Sequence, residues 1–356
     1  MADRRAVRAA LEQVVDPLLG RPVALLGFIQ RVDLSLFGPV KVVLRLPTPN
    51  YPVDYQELMT EAGSQRVEIE IEVMTDGERA DLMSRLRAGS GPAIGQSGSS
   101  TRVVAVGSGK GGVGKSSVTT NLAIALSEAG HRVGVIDADI WGFSIPRMLG
   151  IRSAPVVIDQ SIVPPVAHGV KAMSMDYFVG DDQAVIWRGP MLHKAIEQFL
   201  TDVFWDSPDF LLVDMPPGTG DIAISLSQFL PRAQLLLVTT PQPTAQRVAR
   251  RAAAMALKVD QELLGVVENM SWFTGDDGRR YPLFGEGGGA ALAEELGVPL
   301  MAQVPLITAM GRGADEGLPV SLAAPESEAA AAFSRLAAAV AGRKPRVRTN
   351  PQLVIR

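Results

Sequence analysis

The chain contains no cysteine and only three histidines. Without cysteine there can be no disulfide, no thiolate-held metal and no cysteine nucleophile. His131, His168 and His193 are scattered at no ligand spacing, so no histidine metal centre is expected either. No apolar run approaches the roughly 18–20 residues that span a bilayer. The opening MADRRAVRAALEQV lacks the apolar segment of a signal peptide, which predicts a cytoplasmic protein. A net charge of -4 over 356 residues gives no general attraction to nucleic acid or to an anionic membrane, and neither is expected as a partner. Arg343, Lys344, Arg346 and Arg348 form a local basic patch, but the prolines and missing periodicity around them predict a disordered tail over 343–356.

What is present is a soluble globular composition, 47% apolar and 20% charged, long enough for one large or two ordinary domains. RAGSGPAIGQSGSS, from Arg87 to Ser100, is rich in Gly and Ser and has no apolar period, which predicts a flexible linker over 88–100. Residues 1–87 read as a small α+β domain, with an amphipathic helix around Val7 to Val15. The strict alternation of VEIEIEV, from Val67 to Val73, predicts a strand with one wet face. Over 101–342 the runs TRVVAV, RVGVIDAD, FLLVDMPP, AQLLLVTTP and ELLGVVEN alternate with helical segments. Continuous apolar strands separated by helices predict an α/β domain with a doubly wound, mostly parallel sheet, and such sheets bind ligands at the carboxyl ends of their strands.

The first of these strands runs into GSGKGGVGKSS and then a helical segment. Gly109, Gly114, Lys115 and Ser116 satisfy the phosphate-loop spacing in its required strand–loop–helix context. Backbone N–H groups of Gly109, Lys110, Gly111, Gly112, Val113, Gly114, Lys115, Ser116 and Ser117 are the candidate cradle for ATP phosphates. Lys115 would reach the β and γ phosphates, and Ser116 would give its hydroxyl to Mg²⁺. Asp137 and Asp139 stand two apart, a spacing that on a strand puts both carboxylates on one face. FLLVD ends in Asp214, the form of an acid that holds Mg²⁺ through water. Pro216, Pro217, Gly218 and Gly220 then make a candidate switch loop. Phosphoryl transfer needs positioned cations more than covalent chemistry, so this inventory suffices for slow ATP hydrolysis.

Lys110 inside the loop resembles the deviant phosphate loop of the ATPases that include partition, division-site and nitrogenase iron-protein relatives. The resemblance implies an ATP-sandwich homodimer in which Lys110 reaches the partner's nucleotide and Asp139 orients the attacking water with an outer contact to Mg²⁺. The longer signatures GKGGVGKS, DADIWGFSIP, IWRGPM at Ile186 to Met191, DMPPGTGDIAIS and VVENMSWF resemble the Mrp/ApbC-type iron-sulfur cluster carriers over Thr101 to Ala341. The N-terminal part looks like the metal-sulfur cluster biosynthesis domain that often precedes this ATPase. The resemblance implies cluster assembly or transfer, an apo-protein or scaffold as partner, Asn269 on the adenine ring, and a 4Fe-4S cluster bridging two Cys-x-x-Cys pairs.

The sulfur ligands are missing. The segment that would hold them reads TGDDGRRYPL, and Tyr51 in TPNYPVD stands near the place of a second cysteine of the relatives. Asp276 and Asp277 are hard donors that do not replace thiolates, and they read as hairpin turn residues in preference to a Mg²⁺ or Ca²⁺ site. A 4Fe-4S cluster is therefore expected by resemblance only. Two alternatives stand beside the carrier reading. One is a partition- or division-like ATPase anchored by EAAAAFSRLAAAV, whose stripe of Phe333, Leu336 and Val340 reads more readily as core. The other is an ATP-gated interaction module docking its partner on Gly150 to Ala195, where Met173, Met175 and Met191 could adapt to a partner although gap-filling core is their commoner use.

Overall fold

Apolar residues at alternate positions of VKVVLRL, with Val67 and Ile69 of VEIEIEV, put one side of two strands into a core, and the structure builds the first unit on them. The computed structural model describes residues 4–34, 38–63, 66–96, 98–139, 142, 144–178, 189–218, 226 and 228–344. Ile140, Trp141 and Phe143, residues 186–188 of IWRGPM, residues 219–225 including Gly220, and the tail from 345 with Arg346 and Arg348 lie outside the described residues.

The chain forms two compact units, the first comprising 1–91 with 153–166 and 202–206, and the second the remainder. In the first, α1 (Arg4–Glu12), β1 (Ile29–Asp33), β2 (Val40–Leu46), α2 (Tyr55–Gly63), β3 (Val67–Val73) and α3 (Asp76–Ala88) follow one another. The strand order is β1-β2-β3, antiparallel then parallel. Val42 and Leu44 of β2, Leu11 of α1, Met59 of α2 and Leu82 of α3 are buried in one core, which Ile158 and Val163 of a hairpin (Val156–Ile158, Ser161–Val163) also enter. Helix α3 starts on a capping box, Thr75 accepting from the Glu78 N–H while Glu78 accepts from the Thr75 N–H. The first helix ends at Glu12, short of the Val15 expected, because Val15 pairs in a short antiparallel bridge with Pro22. The acidic face of β3 is wet as its alternation predicts. Its apolar face is covered at Val67 and half-covered at Ile69, but Ile71 and Val73 are 53% and 45% exposed at this sheet edge.

In the second unit the chain order is β4 (Arg102–Ser108), α4 (Lys115–Glu128), β5 (Val133–Asp137), β6 (Val170–Ser174), α5 (Gly189–Thr201), β7 (Phe210–Asp214), β8 (Gln234–Thr239), α6 (Pro243–Lys258), β9 (Glu262–Thr274), β10 (Arg280–Tyr281), α7 (Gly288–Leu296), β11 (Leu300–Leu306) and α8 (Glu328–Gly342). The sheet order is β6-β5-β7-β4-β8-β9 with every pairing parallel; β11 joins β9 in parallel, and β10 folds back on the end of β9 as an antiparallel hairpin. Strands β4, β5, β7 and β8 are almost wholly buried, which is why they read as unbroken apolar runs. Strands β6 and β11 were not among those expected. Pro305 and Gln303 mask β11 in the sequence, and its place beside β9 alone tolerates the proline.

Helix α8 packs on β11 and α4, with Phe333, Leu336 and Val340 all at 1% exposure or less. Its apolar stripe is core and is not available as a membrane anchor. Among the described residues no helix is long and apolar enough to cross a membrane. Met173 and Met175 are likewise core, whereas Met191 is 45% exposed.

Candidate functional site

The carboxyl ends of β4, β5 and β7 meet where the loop after β4 turns into α4. Gly114 occupies the N-cap of α4 at φ 79, with no side chain capping the helix, so the first-turn N–H groups are left for an anionic ligand. A side chain there is excluded, because a Cβ on Gly114 would collide with Asn269 Nδ2. At Gly109 the loop passes so close to α6 that a Cβ would collide with the Ala249 backbone nitrogen. The loop lines a cleft of about 370 Å³ together with Asp139 and Pro217.

Three side chains converge on Asp214. Lys115 Nζ and Ser116 Oγ both donate to its Oδ2 at 2.6 Å, and Thr119 Oγ1 donates to Oδ1 at 2.7 Å. Lys115 Nζ also lies 3.5 Å from Asp139 Oδ2, so one ammonium bridges the two acids. Burial pushes the Asp214 carboxyl up, against the pull of Lys115, Ser116 and Thr119. Thr119 was not singled out from the sequence. It stands four residues after Lys115 on α4, so the helical repeat brings it to the same carboxylate.

Asp137 and Asp139 do not lie on one strand. Strand β5 ends at Asp137, and the alternation that would align the two stops there. The Asp137 carboxylate accepts from the N–H groups of Ser144 at 3.0 Å and Ile145 at 3.1 Å and from the Asp139 N–H at 3.3 Å, so it shapes the loop that presents Asp139. Burial, with the nearby Asp214 charge adding to it, pushes Asp137 up to about 7.

Lys110 donates to Gln242 Oε1 at 3.2 Å, apart from the cluster on Asp214. Asn269 is buried behind the loop, its Nδ2 donating to the Val113 carbonyl at 3.0 Å. Gly111, Gly112 and Ser117 also line the cleft, and the buried Val113 anchors the loop in the core. The donor set fits Mg²⁺ with a nucleotide: the Ser116 hydroxyl and the Asp214 carboxylate are adjacent oxygens, and Mg²⁺ characteristically takes few protein ligands.

The hairpin of β9 and β10 is closed on itself. Asp277 accepts from the Tyr281 hydroxyl at 2.7 Å and from the Arg279 N–H at 3.0 Å, and these bonds hold its carboxyl below the usual carboxylate range. Trp272 Nε1, Thr274 Oγ1 and Arg280 all donate to Glu328, and the Arg280 guanidinium lies 4.2 Å from the centre of the Trp272 ring. No group of three or more potential ligands able to hold a metal ion occurs among the described residues.

A family model described as an iron-transfer P-loop NTPase of the NUBPL type matches residues 99–341, and one described as an iron-sulfur cluster assembly protein matches 4–71. The iron-sulfur cluster carrier protein of Mycobacterium tuberculosis is 46% identical over 338 residues, covering 90% of this chain and 89% of that protein. The chain belongs to the iron-sulfur cluster carrier family. A second carrier, from Synechocystis, is 40% identical over 352 residues, covering 95% of this chain and 97% of its own. Among solved structures, a nucleotide-binding protein from Archaeoglobus fulgidus in complex with ADP is 31% identical, with a TM-score of 0.57 over 73% of this chain and 97% of that one. The cell division ATPase MinD of Pyrococcus furiosus is 27% identical, with a TM-score of 0.51 over 67% of this chain and 98% of that one. The assembly-protein match lies within residues 1–87, and the NTPase match begins at residue 99.

Proposed function

We propose that the protein is an ATP-hydrolysing homodimer that serves iron-sulfur cluster assembly or transfer in the cytoplasm without holding a cluster on its own side chains. The observation that carries the reading is the Lys115 ammonium shared between Asp139 and Asp214 beneath an uncapped helix N-terminus, in a chain with no cysteine. Lys115 would leave its carboxylate partners to neutralise the β and γ phosphates. Ser116 and Asp214 would hold Mg²⁺, which when bound screens the charge that develops on the phosphoryl oxygens. Asp139 would orient the attacking water, and Lys110 would serve the nucleotide of the partner subunit. Asn269 would use what remains of its amide on the adenine edge while fixing the loop through Val113.

The cluster is cargo in this reading, and its thiolate ligands would come from a scaffold or recipient protein. Thiolates are the donors that iron-sulfur units require, and carboxylates do not substitute for them. Anaerobic reconstitution of the full chain with iron and sulfide tests this. The expected product has ATPase activity, no charge-transfer band in the visible and no stoichiometric iron. A band with about four irons per dimer in the unaltered protein would refute it.

A further inference from the structure

Glu268 is a carboxylate at 1% exposure for which the chemistry on Asp214 has no use. Two uncharged donors hold it. Its Oε2 accepts from the Gly289 N–H, in the first turn of α7, and its Oε1 from Gln303 Nε2 of β11 at 2.8 Å. The first turn of a helix has N–H groups without a partner in the helix and favours negative charge, so α7 is a firm support for this carboxylate. The glycines that open α7 fit the contact. A Cβ on Gly289 would collide with Glu268 Cβ, and one on Gly288 with Gln246 Nε2 and the Pro241 carbonyl oxygen.

The residues that follow carry this anchor to the phosphate loop. Strand alternation sends Asn269 to the other side of β9, where its Nδ2 donates to the Val113 carbonyl at 3.0 Å and leaves no room for a side chain at Gly114. Met270 then takes φ 57, a left-handed conformation that a methionine keeps only where its surroundings impose it. The pairing of β9 with β11 breaks at the same point. Asn269 pairs with Val304 and Phe273 with Leu306, so Met270, Ser271 and Trp272 stand opposite Pro305 alone. Ser271 Oγ closes the kink by donating to the Glu268 carbonyl at 2.9 Å. Glu268 is thus fixed by its side chain on α7 and by its carbonyl on Ser271, and Asn269 lies between these two fixings.

A carboxylate suits this place in a way that an amide does not. Gly289 and Gln303 present two donors, and a carboxylate offers an acceptor to each, whereas an amide must turn its NH₂ toward one of them. We infer that Glu268 is a positioning residue of the nucleotide site, which holds the Met270 kink and through it keeps the Asn269 amide in place for the phosphate loop and the adenine edge. The inference rests on the reading of Asn269 as the residue that meets adenine.

Calorimetric titration of the full chain with non-hydrolysable analogues of ATP and GTP, alongside steady-state hydrolysis, tests it. Glu268→Gln lowers ATP-analogue affinity about tenfold and narrows the margin over the GTP analogue, raising KM while kcat stays within about twofold. Adding Gln303→Glu restores the affinity, because the amide at position 268 then accepts from Gly289 and donates to the new carboxylate. In an Asn269→Ala background Glu268→Gln costs nothing further, a non-additivity that a role confined to folding does not produce. Should Glu268→Gln fail to fold, Gln303→Ala at the exposed partner decides, with about a threefold loss that Asn269→Ala again absorbs. Parental affinity in a folded Glu268→Gln protein, or in Gln303→Ala where that variant decides, overturns the inference while Asn269 keeps its role. So does an undiminished further loss on Asn269→Ala, or no recovery with Gln303→Glu. Parental ATP-analogue affinity in Asn269→Ala alone overturns the adenine reading and this inference with it.

Discussion

A carboxylate as deep as Asp214, at 0% exposure, stays ionised only while its partners stay with it. Lys115 is the one full positive charge among them, and it is itself 6% exposed. Lys115→Ala therefore removes the phosphate cation and strands Asp214 together. Nucleotide binding and turnover should both vanish, and the unliganded protein should lose on the order of 3–5 kcal/mol of stability unless Asp214 takes up a proton. Asp139→Asn differs in kind, because its neighbour at 3.5 Å keeps the closer contact to Asp214. ATP-analogue affinity should be kept while turnover falls about 10²–10⁴-fold, which filter binding and single-turnover hydrolysis separate. Loss of both in parallel would mean that Asp139 builds the site and does not act in the reaction. A second buried acid, Asp16, sits in the first unit against the hydroxyls of Tyr51 and Tyr55 and the Leu19 N–H. Burial raises its carboxyl despite those bonds. A raised folded-state value means that the folded chain holds this proton more tightly than the unfolded one, so its stabilising contribution is complete below the ordinary carboxylate value and is lost as pH rises through the raised one. Hydrogen exchange of residues 16–33 should accordingly be slower in mild acid than at neutral pH after correction for intrinsic rates. Asp16→Asn should remove that difference, and a persistent difference would place its origin elsewhere.

Elements that declare themselves by period or by motif were legible in the sequence, and elements set by context were not. The buried strands β4, β5, β7 and β8, the phosphate loop and the α4 start follow from unbroken apolar runs and a fixed glycine spacing. Strand β6 hid in a stretch whose methionines read first as gap-filling core, and its pairing with β5 places Met173 there. The alternation rule does not extend to Asp139 because the strand ends at Asp137 and the chain turns, bringing the Ser144 and Ile145 N–H groups onto the Asp137 carboxylate. The β9–β10 hairpin was legible as a hairpin from its glycines and flanking aromatics, while the Glu328 clip on it comes from a helix more than forty residues on and carries no local signal. That clip bears on whether thiolates can be put back. Thr274→Cys with Asp277→Cys removes one bond to Glu328 and the two bonds to Asp277, but leaves Trp272 and Arg280 on Glu328 and the register of Phe273 with Tyr281. The doubly substituted protein should stay folded and bind iron on anaerobic reconstitution, with a visible charge-transfer band. A folded variant without iron would show that the hairpin no longer presents its tip to a partner copy in ligand geometry.

At the scale of the whole molecule the chain belongs to a family of cluster carriers and has no cysteine to hold the cargo. Under the proposed function, ATP would change how copies of the chain, or the chain and a partner, associate. Lys110 is the residue through which a dimer would be felt. It lies in the phosphate loop but outside the cluster on Asp214, with the neutral Gln242 amide as its hydrogen-bond partner at 3.2 Å. Giving up a neutral acceptor for a phosphate oxygen across an interface costs little, whereas Lys115 must leave two carboxylates. Lys110→Ala should therefore leave the stability of the unliganded chain nearly unchanged and lower the fraction of dimer seen by sedimentation with a non-hydrolysable ATP analogue. Mixing it with Lys115→Ala protein supplies the most direct test of action between subunits. A mixed dimer contains one site with its own Lys115 and a Lys110 donated by the other chain, so hydrolysis should reappear in the mixture although neither variant hydrolyses alone. An inactive mixture, or a Lys110→Ala protein that dimerises as the parent does, would confine Lys110 to the nucleotide of its own subunit.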